Sequence, residues 1–313
     1  MTTDFRALPG PDTRLCGVEI EFAGLSETAT ADVLKKRFGG ELVETGSHVV
    51  ELRGTQIGTL EVELDTVLRK KDLPLLAEGL DLVRGLVPVE IVTDPLDADQ
   101  VAAFDSALGP LREAGAMGSR SGVLLGFGVH LNPEIPSEAK TLDIIRAYGL
   151  LEDHLRTSAE IDATRRAMPF VDRWPKSLVT ALVTSPPSDL RAAMRLYAQH
   201  TTSRNHGLDL LPLFKHVDED LYLSIYDNKD KTAARPTFHF RLPDSRIDEP
   251  DWSLHQAWDM WRLVEDVAAE MGLLGTLGTA WLDTMGSPLA RRAEWARTVA
   301  GHLDKAGLMG AQA

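Results

Sequence analysis

The stretch "CGVEIEFAG", residues 16–24, sets Val18, Ile20 and Phe22 in strict alternation with Glu19 and Glu21. Period two is the spacing of a strand, whose successive side chains point to opposite faces. One face of this strand is therefore apolar and made for a core. The other carries two carboxylates about 7 Å apart, which repel each other unless water or a cation intervenes. The stretch reads as a strand whose acidic face is either solvated or a divalent-metal site.

The same opposition recurs along the chain. "HVVELRG" and "TLEVELDT" read as strands around the turn-prone "GTQIG", with Val62 and Leu64 on one side and Glu61, Glu63 and Asp65 on the other. In "VPVEIVTDPL", Glu90 opposes Val89 and Ile91; in "VLLGFGVHLNP", His130 and Asn132 oppose Val129 and Leu131. In "RPTFHFRLPDSR", His239 and Arg241 oppose Phe238 and Phe240. Strands sharing one sheet would gather several carboxylates, two imidazoles and a guanidinium on its open face. These faces carry no lysine, and clustered carboxylates without lysine call for Mg²⁺ or Mn²⁺.

Between the strands the spacing becomes helical. "SETATADVLKKRFGG" reads as a helix capped by Ser26 with a glycine stop, and "LPLLAEGLDLVRGL", "ADQVAAFDSALGPLREAGA" and "SEAKTLDIIRAYGLLEDHLR" as further helices. Residues 160–234 are less regular, with helical pieces around the break "SPPSD". From Asp251 the chain is helical, and Trp252, Trp258, Trp261 and Trp281 are expected to pack on the rest. Tight turns and helices join consecutive strands, which suggests an α+β fold: an antiparallel or mixed sheet with helices on one face. The expected organisation is a flexible lead-in over 1–14, one catalytic domain over 15–250 and a C-terminal helical segment over 251–313.

Composition narrows the function classes. The 313 residues are 43% hydrophobic, enough for a sizeable core, with a formal net charge of -14. That charge argues against a nucleic-acid partner, since binding a polyanion needs a basic face. No apolar run reaches membrane-spanning length, and "MTTDFRALPGPDTR" lacks the pattern of a secretory leader. The one cysteine, Cys16, excludes an intrachain disulfide and reads as a buried, inert thiol. A cytoplasmic setting is expected.

No G-x-x-x-x-G-K-[ST] loop and no G-x-S-x-G elbow occurs. "GAMGSRSG" has glycines that could cradle phosphate or merely turn the chain, and the histidines of "HTTSRNHG" lack a clear metal spacing.

In their order, "GVEIEF", "VELDT", "VEIVTDPL", "GVHLNP" and "FHFRLPDSR" resemble the amidoligases, carboxylate–amine ligases with the glutamine synthetase/glutamate–cysteine ligase fold. The similarity spans about residues 15–250. It implies a curved antiparallel sheet whose concave face binds ATP with two or three Mg²⁺ or Mn²⁺ ions. It places Glu19, Glu21, Asp65, Glu90 and His130 among the metal ligands. His130 and Arg241 would contact ATP or its phosphates, and Arg241 and Arg204 would be catalytic. His239 stands where the family carries a glutamate, so an imidazole replaces one anionic ligand. The implied activity is ATP-dependent amide formation through an acyl phosphate, from a small carboxylic acid and an amine such as an amino acid or short peptide. A guanidino kinase-like phosphotransferase and a catalytically silent ligand binder are the alternatives, and the oligomeric state stays open.

Overall fold

The alternation of residues 16–24 becomes β1, Cys16–Phe22, with Val18, Ile20 and Phe22 fully buried. The computed structural model describes residues 5–10, 13–64, 88–120, 126–159, 161, 171–226, 232–286 and 290–309. The helix expected from "LPLLAEGLDLVRGL" lies outside the described residues. Gly24 (φ 89°) ends β1 at a place where a Cβ would meet the carbonyl oxygen of Gly115 at 2.2 Å, so only glycine fits. The chain then enters α1, Glu27–Phe38, whose first turn is capped by the Ser26 side chain accepting from the Ala29 N–H.

Strands β2 (Glu41–Gly46), β3 (Val49–Thr55), β4 (Gly58–Leu64) and β5 (Val89–Thr93) follow. β2 was not expected. It is a sheet-edge strand with no buried residue, so it lacks the apolar alternation that marks the others. The helix expected over "ADQVAAFDSALGPLREAGA" is two helices, α2 (Ala98–Asp105) and α3 (Leu108–Glu113). Pro110 supplies the reason: it has no N–H to continue the ladder and is tolerated only in a first helical turn.

After β6 (Val129–Pro133) come α4 (Glu138–Ser158), α5 (Lys176–Thr184) and α6 (Leu190–His200). The two-residue β7 (Leu208–Asp209), α7 (Leu211–Val217), α8 (Glu219–Ile225) and β8 (His239–Phe240) complete the middle. The chain closes with α9 (His255–Ala269), α10 (Met271–Met285) and α11 (Arg292–Lys305).

Among the described residues the eight strands form one open sheet in the order β2-β3-β4-β5-β1-β6-β8-β7, every pair antiparallel. The architecture is α+β. β1 sits between β5 and β6, so its polar face is flanked by those of two other strands. Opposite that face lies the core, where Leu52, Leu60, Val62, Ile91, Val129 and Leu131 are buried. Helix α1 packs on β3 and β4, and α9 packs on β6 and α4.

Both termini of the described chain are tied to this core. Trp261 of α9 packs its ring 5.0 Å from Phe238 and 5.4 Å from Phe240, and the Trp295 indole N–H donates to the Leu150 carbonyl. Phe5 and Leu8 are buried, the Trp258 N–H donates to the Arg6 carbonyl, and Arg14 forms a buried ion pair with Glu265 of α9. Cys16 is buried, and burial raises its thiol well above the ordinary range. No described helix is long and apolar enough to cross a membrane.

Candidate metal centre

The antiparallel registers decide which polar residues meet. Glu21 on β1 lies directly opposite Glu90 on β5, which lies opposite Glu63 on β4. On the other flank Glu19 lies opposite His130 of β6. Leu131 pairs with Phe240, so one step along β6 and β8 sets Asn132 beside His239. Four of these strands, β1, β5, β6 and β8, thus aim their polar faces at one patch.

His130 is its centre. Its Nδ1 donates to Glu19 Oε2 at 2.7 Å and lies 3.8 Å from Glu90 Oε1, while its Nε2 lies 3.7 Å from Glu21 Oε1. The other oxygen of Glu19 accepts from Asn132 Nδ2 at 2.9 Å, with Arg235 Nη1 3.6 Å away. Glu21 Oε2 accepts from the Gly128 backbone N–H at 2.7 Å. His239 donates from Nδ1 to Asn132 Oδ1 at 2.7 Å, and its ring stands edge-on to that of His130, centroids 5.2 Å apart.

The electrostatics follow from burial and these bonds. Burial by itself would raise the Glu19 carboxyl. The His130 hydrogen bond leads the opposing effects, the electrostatic influence of the His239 and His130 imidazoles and the Asn132 hydrogen bond add to it, and together they hold Glu19 below the usual carboxylate range. Burial pushes His239 well below the ordinary imidazole value despite the attraction of Glu19, so its ring is neutral near pH 7.

Two sets of potential ligands result, each with its atoms within 4.8 Å of one another: Glu19, His130 and His239, and Glu21, Glu90 and His130. Carboxylate oxygens and imidazole nitrogens at this spacing fit a divalent cation, and His130 is common to both sets. A cation here would neutralise the Glu21–Glu90 pair that the register forces together.

Of the residues singled out in the sequence, Glu19, Glu21, Glu90, His130 and His239 converge. Asp65 lies outside the described residues. Arg204 and Arg241 stand at the β7–β8 end of the face, close enough to His239 for their charges to depress it further. Arg241 Nη1 donates to the Arg204 carbonyl at 3.2 Å, and Arg204 Nε donates to Asp209 Oδ2 at 3.1 Å. Burial raises the Asp209 carboxyl, and Arg204 leads the effects opposing it.

Sequence reasoning left out Asp209 and Arg235, whose roles depend on contacts across the fold. Asn132 was placed on the polar face but not among the site residues, although its position two after His130 was signal enough. Asp94, which interrupts the run before Pro95, serves the fold instead: its Oδ2 accepts from the Thr59 N–H at 2.7 Å.

A family model described as "Putative amidoligase enzyme" matches residues 12–263, reaching into α9. No curated protein matches the chain.

Proposed function

The chain belongs to the putative amidoligase family, and we propose that it is a carboxylate–amine ligase of the glutamine synthetase-like fold, dependent on ATP and on Mg²⁺ or Mn²⁺. The observation that carries this reading is the Glu21–Glu90 pair, set face to face by the sheet register with His130 3.7 and 3.8 Å away. Like charges opposite each other destabilise a sheet, and their retention beside an imidazole fits a cation-dependent activity.

In this reading Glu21, Glu90 and His130 hold one divalent cation, and Glu19 and His239 contribute to the same patch. Asp65 belongs to the proposed ligand set through the family resemblance alone. The cation supplies charge neutralisation for transferred phosphoryl oxygens. Arg241, supported by Arg204, stabilises the charge that develops when the γ-phosphoryl group moves to the substrate carboxylate. The amine then attacks the acyl carbon, the acyl–phosphate C–O bond breaks, and inorganic phosphate leaves as the amide forms. Small acids and amines, amino acids or short peptides among them, are the proposed substrate class, in a cytoplasmic setting.

Product analysis tests it. With a competent acid and amine, ADP, inorganic phosphate and amide appear in equal amounts. AMP and pyrophosphate, or a stable N-phosphorylated amine, would remove the ligase assignment; the latter would mark a guanidino kinase-like transfer. Arg241→Ala is expected to cut turnover by about 10²-fold or more while ATP affinity changes far less. A variant losing ATP affinity and turnover equally would make Arg241 a simple binding residue.

A further inference from the structure

The four side chains His130, Glu19, Asn132 and His239 form one continuous hydrogen-bonded row across β6, β1 and β8. The donors in this row are set by Glu19. An ionised carboxylate only accepts hydrogen bonds. Its Oε2 therefore takes the Nδ1–H of His130, and its Oε1 takes the amide NH₂ of Asn132. With its NH₂ so committed, Asn132 has only its oxygen to offer His239, and the His239 Nδ1 must carry the proton. In its neutral form each imidazole is thereby held as the Nδ1–H tautomer, with the lone pair on Nε2.

Those lone pairs have somewhere to go. The Nε2 of His130 faces Glu21, 3.7 Å away, and the Nε2 of His239 points away from Asn132. A ring nitrogen of His239 lies within 4.8 Å of ligand atoms of Glu19 and His130. Glu19 and His130 are both buried, and Asn132, 5% exposed, stands behind the half-buried His239.

We propose that Glu19 and Asn132 are positioning residues that turn the basic nitrogens of His130 and His239 toward a divalent cation of Mn²⁺ type. Two nitrogen donors, grouped with Glu19 in one set and, through His130, with Glu21 and Glu90 in the other, suit such a cation better than Mg²⁺, which prefers oxygen. Hydrogen-bonded carboxylates behind metal-binding histidines commonly fix tautomer and orientation in this way. The inference rests on the cation-binding part of the ligase reading and on none of its chemistry.

The test uses the whole protein without ATP or substrates, so a failed ligase assay and a failure here are separate results. Long-range ¹H–¹⁵N spectra in EDTA at about pH 8, above the ordinary imidazole range, report each histidine tautomer. The expected result is Nδ1–H for both His130 and His239. An Nε2–H signal from either would overturn the proposal.

Glu19→Gln sharpens the test, because an amide cannot accept on both sides. If its oxygen faces His130, its NH₂ forces Asn132 to turn over and His239 to release its Nδ1 proton. If its NH₂ faces His130, that ring must change instead. One imidazole of the two is expected to switch tautomer, and two unchanged rings would overturn the relay. Should that variant fail to fold, Asn132→Leu removes the His239 arm together with the amide donor to Glu19 Oε1 and leaves the His130–Glu19 bond in place. His239 is then expected to leave the Nδ1–H form, and affinity for Mn²⁺ alone, titrated against Mg²⁺ competition, to fall by about tenfold or more. Unchanged Mn²⁺ affinity in that variant, or wild-type protein that favours Mg²⁺, would overturn the proposed role.

Discussion

Glu21 and Glu90 face each other across β1 and β5, and their repulsion is the most direct handle on the site. Glu21→Gln removes one charge and keeps an oxygen to accept the Gly128 N–H. In EDTA this variant is expected to be more stable than the parent by about 0.5 kcal/mol, the size of a like-charge cross-strand penalty. That corresponds to roughly 1–2 °C in melting temperature for a chain of this size. Adding Mg²⁺ or Mn²⁺ should raise the melting temperature of the parent, because a ligand that binds only the native state stabilises it, and should raise that of the variant less. An identical cation response in both proteins would return Glu21 to a solvated face. The alternation of "CGVEIEFAG" made this pair of carboxylates visible, since facing is a local property. That Glu90 is the residue opposite was not legible, because register depends on a strand some seventy residues away in sequence.

At the scale of elements, α4 carries a titrating group that links it to α11. His154 is buried beside the Ala296 backbone, and its Nε2 has no protein partner. Burial lowers its pKa below the unfolded value near 6.5. Between those two values the unfolded chain holds the proton and the native state does not. Stability is therefore full above about pH 6.5 and lost as pH falls through this window, at up to about 1.4 kcal/mol per pH unit for one such group. His206 is lowered in the same direction, chiefly by burial, and adds to the loss. Urea unfolding at several pH values is expected to show this slope, and His154→Leu to flatten it. A variant with the parent's slope would place the acid sensitivity elsewhere. The helix itself was readable from "SEAKTLDIIRAYGLLEDHLR", but the face that meets α11 was not. Helical spacing marks an apolar stripe and leaves its partner undefined.

For the molecule as a whole, the residues flanking the sheet domain are joined to it and to each other. Arg14 donates to Glu265 from Nη1 at 2.7 Å and from Nη2 at 3.0 Å, and also donates to the Glu134 carbonyl at the end of β6. Trp261 Nε1 donates to the same carboxylate at 2.7 Å. With 8% and 3% exposure the pair is essentially dry. Arg14→Met is expected to cost about 3–5 kcal/mol, because it strands the Glu265 charge in the core. The double variant Arg14→Met/Glu265→Leu should cost less than that single change, since it buries no unpaired ion. Chemical denaturation of the parent, two singles and the double measures this. Strictly additive losses would mean that the two groups do not act as a pair.

The sequence by itself determined the strands with a buried face, the polar residues each presents, the α+β class and the inward-turning tryptophans. All follow from period-two or helical spacing within a few residues, which the local backbone imposes wherever the strand lies. Tertiary structure alone decided the order β5-β1-β6-β8, which puts Glu21 against Glu90 and Glu19 against His130. It also decided the edge strand β2, the two-residue strands β7 and β8, and the bonding of Arg204 to Asp209. These depend on pairing between distant segments, where backbone hydrogen bonds are alike for every sequence and only packing of the whole core selects the partner. The direction of the Glu19 hydrogen bonds belongs to the same class. A carboxylate in a strand has no preferred donor until neighbouring strands bring one to each oxygen.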